Sequence, residues 1–384
     1  MVDLKKYSKT LIFLVVGLII MAVILYFIGI DTVINALKQA NPWYIVLAVI
    51  LQFITYYLYT LRWFIINKSA DMGNVTIKKL FPMVLLSLAV NNITPSGRGG
   101  GEPVRAYVLS KESDYTFDMT FATVLGDRAL DTFPFIILAI ITIVGMIFTF
   151  TLSPIWIIIL IACVTVITIL VVIIIYMSVN ESFGLKLTIW IIKLVKRFYK
   201  KFKPRHAIQI KNYVSGFQKT MKVLITDRNV LLYALPLSFI VWFIEILRVY
   251  FVFLAFGANV SIVVVAEVFI IACLVGMVPL LPGGLGAVDG IMILFYSGAG
   301  ITASISAAAT VVERLISFWM TTILGLIALS VYGANVLDSL SLGKTKELSE
   351  GSSESGDDED ISHLEEDDIS EDENIISSDE NNIE

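Results

Sequence analysis

Six apolar runs long enough to cross a bilayer alternate with polar stretches along the chain: Leu11 to Ile30, Trp43 to Ile66, Met119 to Phe150, Ile155 to Met177, Val230 to Phe256 and Ile301 to Tyr332. A helix needs about 20 apolar residues to traverse a hydrocarbon core of about 30 Å. Two further apolar runs, Leu80 to Ile93 and Ile262 to Leu281, lead straight into glycine-rich stretches, "TPSGRGGGEPVR" from Thr94 to Arg105 and "PLLPGGLGAVDG" from Pro279 to Gly290. The first, at about 1.5 Å per residue, reaches about 21 Å, too short to cross comfortably. The pattern predicts two re-entrant hairpins with these stretches as tips. Non-helical backbone at such depth is tolerated only where protein or a water-filled cavity surrounds it.

Charge then sets the orientation. The stretch from Val179 to Asn229 holds 12 basic and two acidic residues, and cytoplasmic loops are the ones that collect Lys and Arg. With that loop in the cytoplasm, the N-terminal Lys5, Lys6 and Lys9 and the cluster Lys68, Lys78 and Lys79 also fall there, provided that Leu80 to Ile93 enters and returns on one side. The second hairpin then enters from the opposite side, and both termini are cytoplasmic. Within the basic loop, "GLKLTIWIIKLVKRFYKKF" puts apolar residues near one helical face and lysines on the other. Two readings fit: an interfacial helix on an anionic leaflet, or an amphipathic linker packed on the protein.

The chain is 57% hydrophobic and 16% charged over 384 residues, with a net charge of -5. That composition is of a membrane protein, and the net charge conceals a division. From Glu347 to Glu384 there are 17 Asp or Glu and no Lys or Arg, so the membrane part is cationic. The tail is too polar to offset its ordering entropy and reads as disordered. The expected organisation is a transmembrane domain over residues 1–335, with a first repeat at about 43–150, a basic linker at 179–229 and a second repeat at about 230–335. An acidic tail follows over 336–384.

The repeat rests on polar landmarks. Arg62 precedes Pro95 by 33 positions and Arg248 precedes Pro282 by 34; Pro95 precedes Glu102, and Pro282 precedes Asp289, by seven. Glu102 precedes Asp127 of "DR" by 25, and Asp289 precedes Glu313 of "ER" by 24. Two units of opposite orientation form an inverted repeat, an architecture of transporters whose sites lie near the midplane between broken helices. Glycine and proline at the tips break the helix and leave backbone amides for an anion; as plain turns they need no ligand.

Arg128 and Arg314 lie deep in their spans, where an arginine costs about 2.5–3.5 kcal/mol on insertion scales unless it finds a partner or a watery cavity. Asp127 and Glu313 project about 100° from the neighbouring arginines, which suggests pairing across the halves. Glu102 and Asp289 are the other candidate partners. Pairs that only lock helices together are the alternative. Glu245 and Arg248, three apart on one helix, are placed to satisfy one another.

Several classes are excluded. "GRGGGE" lacks the Lys-Ser/Thr of a phosphate-binding P-loop and no strand-helix pattern surrounds it. Cys163 and Cys273 lie in apolar segments without metal or disulfide spacing, and no nucleophile, base and acid set occurs. No catalytic residue, metal, cofactor or nucleic-acid partner is expected.

With "NNITPSGRGGGEPVRAYVL" and "ATVLGDRALD", and again with "PLLPGGLGAVDG" and "VVERLISFW", the chain resembles the flippase-like family. That family takes in the transmembrane region of lysylphosphatidylglycerol synthetases and many stand-alone membrane proteins. The resemblance covers about residues 5 to 335. It implies an all-α, multi-pass protein of the cell membrane that moves lipids with anionic, aminoacylated or other polar headgroups between leaflets. By motif it carries over Pro95, Gly99, Gly100, Glu102, Arg105, Asp127 and Arg128 from the first signature. Pro282, Gly283, Gly284, Gly286, Glu313 and Arg314 come from the second, with Asp289 standing where relatives are expected to carry glutamate. No soluble aminoacyl-transfer domain follows the membrane region, so the chain is not expected to make lysyl lipid itself. A non-catalytic subunit that supports a membrane glycosyltransferase or lipid-modifying enzyme is the alternative.

Overall fold

A computed structural model describes residues 26, 30–94, 99–150, 154–180, 182–184, 186, 189–190, 204–277 and 284–329. The expected first span at Leu11 to Ile30, most of the basic interfacial segment and the acidic tail lie outside the described residues, as do Pro95, Pro282 and Gly283. The main body comprises Met1–Leu187 and Tyr213–Ser330; a second unit comprises Thr188–Asn212 and Val331–Glu384. The described residues are helical and contain no strand.

A short helix α1 (Ile30–Gln39) precedes α2 (Pro42–Ser69). The start of α2 is written in its sequence: Asn41 accepts a hydrogen bond from the Trp43 amide, and Pro42 sits where no amide donor is needed. It is followed by α3 (Ile77–Ile93), α4 (Gly101–Glu112) and the long α5 (Phe117–Thr149). Here α3 and α4 form the first hairpin. They approach so closely at Gly101 that a Cβ there would collide with the Ser87 backbone carbonyl.

Next come α6 (Pro154–Val179) and α7 (Pro204–Thr226). α6 is apolar all round and leaves Ile158, Ile161, Val166, Leu170 and Val172 exposed, which is the surface of a helix whose solvent is lipid. The second half opens on a π turn, Val230–Ala234, continued by α8 (Leu235–Ala255). Pro236 lacks the amide that an α-helical bond would use, and the chain widens just before it. α9 (Ile262–Gly276) and α10 (Ala287–Gly298) form the second hairpin. The last described helix, α11, covers Ala303–Leu329 and contains a π turn at Leu315–Met320, immediately after Arg314.

Five of the six expected spans thus fall in the described residues as helices long and apolar enough to cross a membrane: α2, α5, α6, Val230–Ala255 and α11. The element order long, short, short, long occurs twice, as α2 to α5 and as α8 to α11. The most extensive helix pairing joins α2 to α8, the first elements of the two halves. Behind it α5 packs on α9, and Phe135 of α5 stacks on Trp242 of α8 at 5.0 Å between ring centroids. The main core lies here, with Val249, Phe253, Val268 and Tyr296 buried at its centre.

Candidate functional site

Arginine on an apolar helix has to be neutralised or hydrated, and in this fold each deep arginine has a carboxylate. In the first half Arg62 of α2, 1% exposed, donates from Nε to Asp127 at 2.6 Å and from Nη1 to Asp131 at 2.7 Å and Ser238 at 3.0 Å. The other Asp127 oxygen accepts from Arg105 Nη2 at 3.0 Å. That guanidinium lies over the Trp63 ring, 4.4 Å from its centroid. Arg128 donates to Glu102 from Nε at 2.5 Å and pairs with it through Nη2 as well. Its Nη1 stands 3.7 Å from Asp131.

The second half repeats the plan. Arg248 of α8 donates from Nη1 to Glu313 at 2.9 Å, as Arg62 does to Asp127. Arg314 donates from Nε to Asp289 at 2.5 Å, as Arg128 does to Glu102. The hairpin acids also hold their own tips. Asp289 accepts from the Gly286 amide at 2.7 Å, and Asn91, which donates to Glu102 at 3.1 Å, accepts from the Gly101 amide at 2.7 Å. Gly284 and Gly286 take φ of 68° and 80°, the left-handed region that admits glycine at low cost.

Between the halves lies a cavity of about 330 Å³, walled by α2, α3, α5, α8, α9, α10 and α11. Its charged lining is Arg128, Asp131, Glu245, Arg248, Glu313 and Arg314, and Phe135, Trp242 and Phe269 contribute aromatic wall. The Arg128 side chain is 31% exposed and the others of its network are buried. Bonds from one half to the other cross beside the cavity. Tyr59 donates to Glu245 at 2.9 Å, Trp242 Nε1 to the Asp131 carbonyl at 3.1 Å, and Asn92 to the Phe318 carbonyl and the Thr322 hydroxyl, both at 3.1 Å.

Of the residues singled out from the sequence, Glu102, Arg105, Asp127, Arg128, Asp289, Glu313 and Arg314 are all brought into these two networks. Arg128, Glu313 and Arg314 line the cavity; Glu102, Arg105, Asp127 and Asp289 stand behind them. Gly99, Gly100, Gly284 and Gly286 shape the hairpin tips and do not line it. Two expectations are corrected. Asp127 and Glu313 pair with Arg62 and Arg248 of their own halves, because those arginines project from the neighbouring long helix at contact distance. Arg248 turns to Glu313, while Glu245 accepts from Tyr59. Asp131, Tyr59, Asn91, Asn92 and Ser317 were not singled out. For Asp131 the signal was present in "DRALD", which puts a second acid on the Arg128 side of the helix. Among the described residues no group of three His, Cys, Asp or Glu is arranged to hold a metal.

Residues 12–325 match the family described as the lysylphosphatidylglycerol synthase TM region. The chain belongs to this family. A UPF0104 membrane protein of Methanothermobacter thermautotrophicus is 49% identical over 335 residues, covering 86% of this chain and 98% of the relative. The UPF0104 membrane protein MJ1595 of Methanocaldococcus jannaschii is 32% identical, over 85% and 96% of the two chains. UPF0104 membrane protein PH1989 of Pyrococcus horikoshii is 27% identical, over 84% and 96%. Each of these relatives is matched over almost its whole length. No solved structure matches.

Proposed function

We propose that the protein is a lipid translocase of the cell membrane, with cytoplasmic termini. Its two halves act as an inverted repeat, with re-entrant hairpins α3–α4 and α9–α10. The observation that carries this reading is the charged cavity, walled by helices of both halves and bordered by both hairpins. An inverted repeat places its site between the repeats near the midplane. The Tyr59–Glu245 bond supports the symmetry. When Arg62, Asp127 and Arg128 are aligned with Arg248, Glu313 and Arg314 at one constant offset, Tyr59 aligns with Glu245. Equivalent positions touch one another only at an axis relating the halves.

A polar headgroup is drawn into the cavity while its acyl or isoprenoid chains stay in lipid, against the apolar helix faces. Arg128, the most open of the arginines on the cavity wall, receives it. Arg314 holds it from the other half. The carboxylates Glu102 and Asp289 retake the arginines when the headgroup leaves, so the empty site does not strand a buried charge. The chemistry asked of the protein is exchange of partners, with no bond made or broken.

The test is headgroup movement in liposomes with the purified protein, using labelled phosphatidylglycerol-type and isoprenoid-phosphate lipids. Acceleration by the intact protein, lost in folded Arg128→Ala and Arg314→Ala variants, is the expected outcome. No acceleration of any of these lipids by folded protein refutes it.

A further inference from the structure

The constant offset that aligns the two arginine sets also aligns Asp131 with Ser317. In the first half the Asp131 carboxylate lies between two arginines, 2.7 Å from Arg62 Nη1 and 3.7 Å from Arg128 Nη1. In the second half the corresponding arginines are Arg248 and Arg314, and the residue in that place is a neutral serine. Both arginines are buried, at 2% and 7% exposure. Each keeps a buried N–H without a hydrogen-bond acceptor among the described residues, Nε of Arg248 and Nη2 of Arg314. The buried Gln52 Oε1 is without a donor too. Arg248, Arg314, Ser317 and Gln52 all line the cavity.

An unpaired buried donor on a charged group costs more than an ordinary missing hydrogen bond. The first half, which has one arginine more, leaves Arg105 Nε open away from the cavity; two open donors on arginines that both line the cavity mark a place made for an anion that comes and goes. We propose that Arg248, Arg314 and Ser317 form an anion subsite in which a phosphate of the ligand stands as Asp131 stands in the first half. Phosphate suits it because it presents oxygens to two guanidinium groups at once. Glu313 and Asp289 hold other N–H groups of these arginines, at 2.9 Å from Arg248 Nη1 and 2.5 Å from Arg314 Nε, and the phosphate meets the open ones beside them. Glu245, also on the cavity wall, repels a second anion and accepts from a donor such as a headgroup hydroxyl. The subsite deepens the translocase reading in naming the headgroup chemistry; it rests on that cavity being the headgroup site and not on movement.

The experiment is binding of dihexanoyl phosphatidylglycerol and, separately, of inorganic phosphate to the purified full-length protein, read by titration calorimetry. Wild type and Lys68→Ala, a surface substitution outside both networks, are expected to bind phosphatidylglycerol within about threefold of each other. Ser317→Asp supplies a carboxylate in cis and is expected to weaken binding at least about tenfold, with unliganded thermal stability no lower than that of wild type. Arg248→Lys, which keeps the charge but removes the Nε donor, is expected to weaken it about tenfold as well, and serves if Ser317→Asp does not fold. Binding of the lipid alone assigns the subsite to a lipid headgroup; similar affinity for both probes assigns it to any phosphate. Unchanged affinity in the folded Ser317→Asp or Arg248→Lys protein overturns the subsite, as does absence of saturable binding of either probe to wild type. Intact binding without lipid movement in liposomes leaves the subsite standing and removes the translocase reading.

Discussion

The two halves share a skeleton and a ratio of one carboxylate to each arginine, and differ in where they leave arginine donors open. Around Arg62 and Arg128 stand Asp127, Asp131 and Glu102, with Arg105 tied into the same network. Around Arg248 and Arg314 stand only Glu313 and Asp289, and the chain after Arg314 opens into a π turn where the first half continues as regular α-helix through Asp131. A π turn inside an α-helix is frequent at functional sites. The first half leaves Arg105 Nε open too, but behind the cavity wall. The second keeps donors open beside the cavity. Near-symmetry supplies the frame, and the departure from symmetry marks where a ligand has something to complete.

That contrast is broken most severely by Arg62→Ala. It leaves Asp127 with Arg105 alone and Asp131 with only the more distant Arg128, and loss of one partner of a buried ion pair costs about 3–5 kcal/mol. The expected outcome is a large fall in the melting temperature in detergent, measured with the fraction of monodisperse protein. Gly101→Val comes next. Its Cβ lands against the Ser87 carbonyl carbon at 2.7 Å, and overpacking of this kind costs about 1–3 kcal/mol. The second half carries Val288 at the corresponding place and makes its own close approach at Gly284, where a Cβ would lie 3.2 Å from the Gly276 Cα.

Tyr59→Phe sharpens the comparison differently, because it cuts a bond between equivalent positions of the halves. A hydrogen bond to a charged group contributes about 1.5 kcal/mol or more, and the half-buried Glu245 recovers part of it from the cavity. A melting shift near the low end of that range is expected. A shift as large as that of Arg62→Ala would show the two halves to be held mainly at this point. Lys68→Ala is the weakest: Lys68 Nζ meets the Gly73 carbonyl at 2.8 Å on the surface, outside both networks. Its effect on unfolding is expected to stay within about 0.5 kcal/mol.

Much of the frame was legible before any coordinates. The five spans that the structure describes lie within a few residues of their apolar runs, since a membrane helix must be apolar over its whole length. The landmarks Arg62, Glu102, Asp127 and Arg128, with their counterparts, were legible because charged residues in such a chain are few. Their pairing was not. Asp127 faces away from Arg128 by helical geometry, and spacing alone does not tell whether Arg62 or an arginine of the other half comes within reach. Asp131 and Ser317 were passed over for a related reason: their meaning appears only when each is seen beside two arginines.

By itself, then, the sequence determined the helices and the identity of the charges, because hydropathy and spacing act locally along the chain. The tertiary structure alone decided which acid neutralises which arginine, which donors were left over, and that seven helices wall one cavity. Those are matters of distance between side chains far apart in sequence, and hydrogen bonds and ion pairs fall off within a few ångströms.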